Sequence, residues 1–444
     1  MKALATLFYL LFSTISFSQT NGSHFKSEID LGSGTVFSTF LDLSLSGQEF
    51  KITTPQDADV RIMGGKAKLG RILGKSPKKG IIVTIKGIQK GDSLLGDTNI
   101  PMVGKLKFKG MLKNNMLSGK FITDGDVIGS LNGVISQSDK IDYQALYPEI
   151  VKTIKDNIYA ASVLQTGEWK RFEKGFEKLC KEARDDIELF FGFNMLAQKL
   201  PFSHLTLLIA QEAAEDEGAE SKQKSVVLED KGNDTAYLLI RNFSSSQKEL
   251  AQILPKIVND PSVKNLIIDL RNNGGGGINA AFELAKYIVT EDLEVGYFVT
   301  NKLQYSGFEL ELFKKLPPTQ PKSTAAFGED LKTLPGVKLI FNKPLNAVFK
   351  GNLYVLTNGN TGSTCEPMVY ALKKSKKALI IGEKTQGGML AASPFLVSRK
   401  YMVMVPIADF YTFDGTRLDK VGVAPDVNVP SDKALDKALE LINK

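Results

Sequence analysis

Ser363 stands where a serine side chain could do chemistry. Leu353 to Leu356 is a short β-prone apolar run, and Asn358, Gly359, Asn360 and Gly362 follow as a turn cluster. From Ser363 the spacing becomes helical, with Cys365, Met368/Val369 and Leu372 on one face. A serine heading a helix at the carboxyl end of a strand occupies the place where nucleophiles and ligands gather in α/β proteins. The same residues, Ser363-Thr364-Cys365-Glu366, also spell a capping box, in which the hydroxyl only accepts a helix N–H. Both readings stand on local sequence. A second cluster, Gly274 to Gly277, follows the apolar run Leu266 to Leu270 and precedes a helical stretch, Ala280 to Val289. Its bare N–H groups could form an oxyanion hole, cradle a phosphate or simply make a tight turn. The lysine-serine/threonine ending of a P-loop is missing, and the spacing is not a dinucleotide fingerprint. His204, in Leu200-Pro201-Phe202-Ser203-His204-Leu205, reads on its own as a core histidine.

The elements around these residues predict several domains, as 444 residues require. Residues 23–136 read as an all-β domain, a sandwich or barrel. Lys105 to Lys109 alternates polar and apolar, Asn114-Asn115 makes a hairpin turn, and turn signals recur along the segment. From 141 to 210 the period is helical, with Ile150, Ile154 and Ile158 on one face and Trp169, Phe172 and Phe176 on another. Residues 211–233, rich in lysine and glutamate, predict a loop or exposed hairpin. From 224 to 444 strands alternate with helices. The strand, turn and helix order occurs twice, around Gly274 and around Ser363, and implies an α/β sheet with helix N-termini along one edge.

Composition narrows the function classes. Apolar residues make up 43% and charged residues 24%, as in ordinary globular proteins. The formal charge of +7 is spread along the chain without a basic, aromatic-rich block, so nucleic acid is not an expected partner. Lys2, the apolar run Ala3 to Phe12, and the small residues Ser16 and Ser18 predict a signal peptide over 1–18, cut to leave Gln19 first. The expected protein is exported, periplasmic or extracellular, with no stable membrane insertion and no lipid anchor. Cys180 and Cys365 are expected as two buried free thiols. With only His24 and His204 beside them, no zinc site or other cofactor is expected.

Three segments together resemble the C-terminal-processing, or tail-specific, serine proteases and their tricorn relatives. The family's D-L-R-x-N-x-G-G stands as Asp269 to Gly276; its serine segment, S-x-x-E followed by a G-E-x-T-x-G-G strand end, as Ser363 to Glu366 and Gly382 to Gly388; and its G-V-x-P-D-V as Gly422 to Val427. The resemblance covers about 143–444. It implies a ClpP/crotonase-like sheet-and-helix protease core, an acyl-enzyme on Ser363, and a peptide or unfolded protein segment as substrate. The tail-specific branch carries a lysine where this chain has Gly388, and Lys384 lies four residues too early, so a Ser-Lys dyad is not expected. The tricorn-like branch uses a histidine preceded by serine and an acidic residue before G-V-x-P-D. Those places are held here by Ser203-His204 and Asp419, aspartate standing where glutamate is usual. The resemblance therefore makes His204 the general base, with Ser203 and Asp419 orienting it. The oxyanion would meet the N–H groups of Gly275 or Gly274 and of Thr364. About thirty residues separate His204 from the strand at Tyr237, too few for the PDZ domain that many relatives insert. The alternative is a catalytically inactive ligand- or peptide-binding protein on the same scaffold, as in the retinoid-binding relatives.

Overall fold

The computed structural model describes residues 22–30, 36–55, 83–100, 104–123, 125–210, 224–319, 323–345, 347–398 and 400–444. The leader expected over 1–18 and most of the loop expected over 211–233 lie outside them. The chain divides into two compact units, residues up to Asp142 with Glu182–Phe191, and Tyr143–Lys181 with Gly192–Lys444. The helical stretch expected over 141–210 is thus shared between the two.

The first unit is a closed, eight-stranded antiparallel barrel. Its strands are β1 (Ser23–Asp30), β2 (Val36–Ser46), β3 (Glu49–Thr53), β4 (Thr84–Lys90), β5 (Ser93–Ile100), β6 (Gly104–Lys113), β7 (Met116–Thr123) and β8 (Asp126–Ile135). Each pairs with the next, and β1 also pairs with β8, which removes the open edge a sandwich would leave. Alternation along β6 sends Leu106 and Phe108 inward, with Phe25, Phe50 and Phe121, and leaves Lys105, Lys107 and Lys109 outside. Asn114 and Asn115 both hold positive φ, 51° and 60°, as a two-residue hairpin loop requires.

The second unit opens with helices α1 (Leu146–Asn157) and α2 (Gly167–Glu182), the latter ending just across the division. Helix α3 (Asp186–Ala197) runs back into it, followed by β9 (Thr206–Ile209). Two sheets follow. The first takes the order β10 (Val226–Asp230), β11 (Thr235–Ile240), β12 (Asn265–Asp269), β16 (Asn352–Thr357), β17 (Leu379–Gly382), β20 (Val427–Asn428). It is parallel from β11 onward, and β10 and β11 form an antiparallel hairpin. The second takes the order β14 (Pro318–Thr319), β15 (Gly336–Phe341), β13 (Leu293–Thr300), β19 (Tyr401–Thr412), β18 (Ala391–Val397), with β9 also on β19. The helices between strands are α4 (Gln247–Val258), α5 (Ile278–Ile288), α6 (Leu310–Phe313), α7 (Thr324–Thr333), α8 (Cys365–Lys374) and α9 (Ala434–Ile442).

One core joins a face of the parallel sheet to α4, α5, α8 and the second sheet, through residues such as Ile268, Leu284, Met368, Val295 and Phe410. The other face, with Ile267, Leu356 and Ile381, is covered by Ala434 and Ala438 of α9. Cover on both faces is why β12 is apolar without alternation until Asp269. Because β12 and β16 are parallel neighbours with Asp269 opposite Leu356, the turns that leave them emerge side by side. That register brings Gly275 and Ser363 together.

Candidate active site

The two turns are sewn to each other by short polar side chains and backbone. Asn272 N–H donates to Asn358 Oδ1 at 3.0 Å, Thr361 Oγ1 to the Leu270 carbonyl at 2.7 Å, Gly362 N–H to the Asn273 carbonyl at 3.0 Å, and Thr364 Oγ1 to the Gly276 carbonyl at 2.7 Å. Asp269, the acid of the Asp-Leu-Arg run, is buried and already engaged by Arg271 and by the Tyr237 hydroxyl at 2.7 Å. It braces the turn and has no lone pair directed to chemistry.

Ser363 sits at the elbow with φ 52°, in the left-handed region that non-glycine residues enter only when the surroundings impose it. The capping-box reading fails for its hydroxyl. Thr364, not Ser363, is the residue preceding α8, and no hydrogen bond reaches Ser363 Oγ among the described residues. Only the reciprocal half of the box forms, with the Ser363 N–H donating to Glu366 Oε2 at 3.2 Å. The hydroxyl is left free to react.

Glu366 is the residue whose importance sequence reasoning missed. It is fully buried and accepts four hydrogen bonds, from Thr385 Oγ1 (2.6 Å), Gly387 N–H (2.8 Å), Gly388 N–H (2.9 Å) and Ser363 N–H. Burial pushes its carboxyl above the usual range while these donors pull it down. The carboxylate fastens the Ser363 elbow to the loop after β17. The signal was present in S-x-x-E, but a capping acid and a tertiary anchor look identical in sequence.

His204 is half-buried with φ 65°. Phe202, fully buried with its ring edge-on to Tyr159 at 6.0 Å, anchors the chain before it, and β9 anchors the chain after it. Ser203 Oγ lies 2.6 Å from His204 Nδ1 and 2.5 Å from Asp419 Oδ1. Asp419 also accepts the N–H groups of Ser203 (3.1 Å) and Met389 (3.0 Å). The aspartate, a methylene shorter than the glutamate expected there, reaches the histidine through Ser203. A carboxylate can only accept, so the single hydroxyl proton of Ser203 goes to Asp419 and Ser203 Oγ accepts Nδ1–H. Nε2 is left with the lone pair. Desolvation lowers the His204 pKa, Asp419 raises it, and Lys420 lowers it; the net shift is downward from 6.5.

Ser363 and His204 line one recess of about 170 Å³, together with Thr364, Gly276 and Met389. No hydrogen bond joins their side chains in this structure; such contacts often tighten only when substrate binds. A Cβ built on Gly388 would lie 3.8 Å from His204 Cε1, and Lys384 is solvent-exposed. Of the three expected oxyanion donors, Thr364 follows Ser363 in the chain, and Gly275 is brought against it from the other turn, since a Cβ there would lie 2.6 Å from Ser363 Cβ. Its N–H, however, already donates to Asn273 Oδ1 at 2.9 Å, so in this conformation it is not free. The N–H groups of Thr364 and Gly274 make no hydrogen bond among the described residues. Cys180 and Cys365 are free and buried.

Residues 234–429 match peptidase family S41. Over 194 residues the chain is 27% identical to the chloroplastic C-terminal processing peptidase of Tetradesmus obliquus, covering 44% of this chain and 34% of that one. Over 224 residues it is 27% identical to a carboxyl-terminal-processing protease of Synechocystis, covering 48% of this chain and 44% of the relative. The chain thus spans less than half the length of these relatives. The solved photosystem II D1 C-terminal processing protease aligns with 68% of this chain and 98% of its own, at 16% identity and a TM-score of 0.40.

Proposed function

We propose that this chain, which carries a peptidase family S41 domain, is an exported serine endopeptidase that cleaves peptides or unfolded protein segments through an acyl-enzyme on Ser363. The observation that carries the reading is the relay from Asp419 through Ser203 to His204, which ends in the recess where Ser363 presents an unused hydroxyl. Ser363 Oγ attacks the substrate carbonyl carbon as its proton passes to His204 Nε2, and the carbonyl π pair moves onto oxygen. The imidazolium keeps Nδ1–H on Ser203, whose own proton faces the Asp419 carboxylate. As the C–N bond breaks, Nε2 returns its proton to the leaving amine. Water, deprotonated by the same Nε2, then hydrolyses the ester. The Thr364 N–H meets the oxyanion, with a second donor from Gly274 or from Gly275 once Asn273 releases it.

The core is read as ClpP/crotonase-like, and export rests on the leader at 1–18. Among the described residues no helix is long and apolar enough to cross a membrane. The test is a fluorophosphonate probe with peptide mapping of the adduct. Labelling of Ser363 that disappears in His204→Ala is the expected result. A folded protein that leaves Ser363 unlabelled would overturn the proposal.

A further inference from the structure

We infer that the recess beside Ser363 selects a large apolar side chain, leucine or phenylalanine in size, on the residue whose carbonyl is attacked. The inference rests on the serine-peptidase reading above and goes on to name the substrate class. Beyond Ser363 and His204 the walls are Phe298, Phe327, Leu331, Leu339, Phe341 and Ile407, all buried. They come from α7, β13, β15 and β19, elements of regular structure that hold the cavity open. Its volume of about 170 Å³ is close to the roughly 150 Å³ of an apolar cavity that takes up benzene. A branched aliphatic or phenyl side chain therefore fits, whereas glycine or alanine leaves most of the space empty.

Charge is excluded as firmly as size is selected. Among the described residues that line the recess His204 is the only ionisable one, so an aspartate, glutamate or lysine side chain entering it would lose its water without gaining a partner among them. Gly328 of α7 also borders the recess, and a Cβ built there meets nothing within 4 Å. A side chain at 328 would therefore have open space at the border of the recess.

The experiment uses internally quenched peptides differing at one position, with cleavage sites mapped by mass spectrometry and Ser363 labelling by a fluorophosphonate measured in parallel. A pocket of this kind discriminates by roughly 10–200-fold per methylene, so kcat/KM for leucine or phenylalanine should exceed that for glycine by at least about 100-fold, with glutamate and lysine lowest. Gly328→Leu should erase most of that advantage, bringing the ratio of kcat/KM for leucine over glycine peptides toward one. Phe341→Leu, which widens the recess, tests the same wall by the opposite route and should raise the ratio of phenylalanine to leucine. Labelling of Ser363 with a flat or charged preference would overturn this inference and leave the peptidase reading standing. Absence of labelling would overturn both.

Discussion

Asp419→Asn is the sharpest perturbation of the relay. In the wild type the carboxylate accepts Ser203 Oγ–H and Met389 N–H at Oδ1 and Ser203 N–H at Oδ2. An amide has one accepting oxygen, so in either orientation its NH₂ opposes at least one of these N–H groups. Leaving such a donor unsatisfied costs about 1–3 kcal/mol of stability. The catalytic loss should be larger. Without the carboxylate, the Ser203 proton is free to turn toward His204 Nδ1, which moves the imidazole proton to Nε2 and removes the base. The wrong tautomer costs about 10⁴ in kcat in the serine protease triad. One extra link in the relay gives an expected loss of about 10³–10⁴ in kcat/KM, or about 4–5.5 kcal/mol at about 1.36 kcal/mol per decade. Ser203→Ala should lose a similar amount, and the double variant little more, because the residues act as one unit. The assay is hydrolysis of a leucine-containing quenched peptide, with thermal melting to confirm folding. If Asp419→Asn keeps more than a tenth of wild-type kcat/KM, the orienting relay is wrong.

Four other outcomes are expected. Because the His204 pKa is lowered and the base must be neutral, the acid limb of kcat/KM should fall below pH 6.5, and Lys420→Gln, which removes a positive charge, should move it upward. The same shift makes folding stability fall as pH drops below 6.5, since the unfolded histidine binds the proton more readily; melting of wild type and His204→Ala across that range measures the difference. Gly275→Ala should lose about 10²–10³ in rate, as for a lost oxyanion donor. Its φ is +98°, and its Cβ would meet Ser363 Cβ at 2.6 Å and Thr364 N at 2.9 Å; near-normal turnover would refute the close approach. Glu366→Gln should lower stability by about 2–5 kcal/mol, because an amide cannot accept from donors on both sides, and denaturant unfolding would show it.

How much of this was legible depended on distance along the chain. Period-two alternation in β6, the Asn114-Asn115 turn and the two strand–turn–helix units are local signals, and the structure contains each of them. Barrel closure was not legible, because the pairing of β1 with β8 joins Phe25 to Ile135 and leaves no mark in either strand. Nor was the attachment of β9 to Tyr401–Met404 of β19, which places His204. Residue types and order pointed to Ser363, His204, Ser203 and Asp419. What sequence could not show was that Asp419 reaches the imidazole only through the Ser203 hydroxyl, or that Asn273 holds the Gly275 N–H. Both depend on hydrogen bonds a few ångströms long between or within turns whose geometry is set by strand register.

Gly388 shows how a single departure from a motif becomes a structural statement. Where the resemblance calls for a lysine, this chain has a residue whose N–H goes to Glu366 Oε2 and whose missing Cβ would lie 3.6 Å from Gln386 Oε1 and 3.8 Å from His204 Cε1. A side chain at 388 would start in ordinary van der Waals contact with Gln386 and with the edge of the imidazole. Glu366 fixes the backbone on both sides of the choice, holding Ser363 through one N–H and residues 387 and 388 through two others. Position 388 therefore neighbours the His204 imidazole, so the base proposed here stands next to the place where the resemblance calls for the other one.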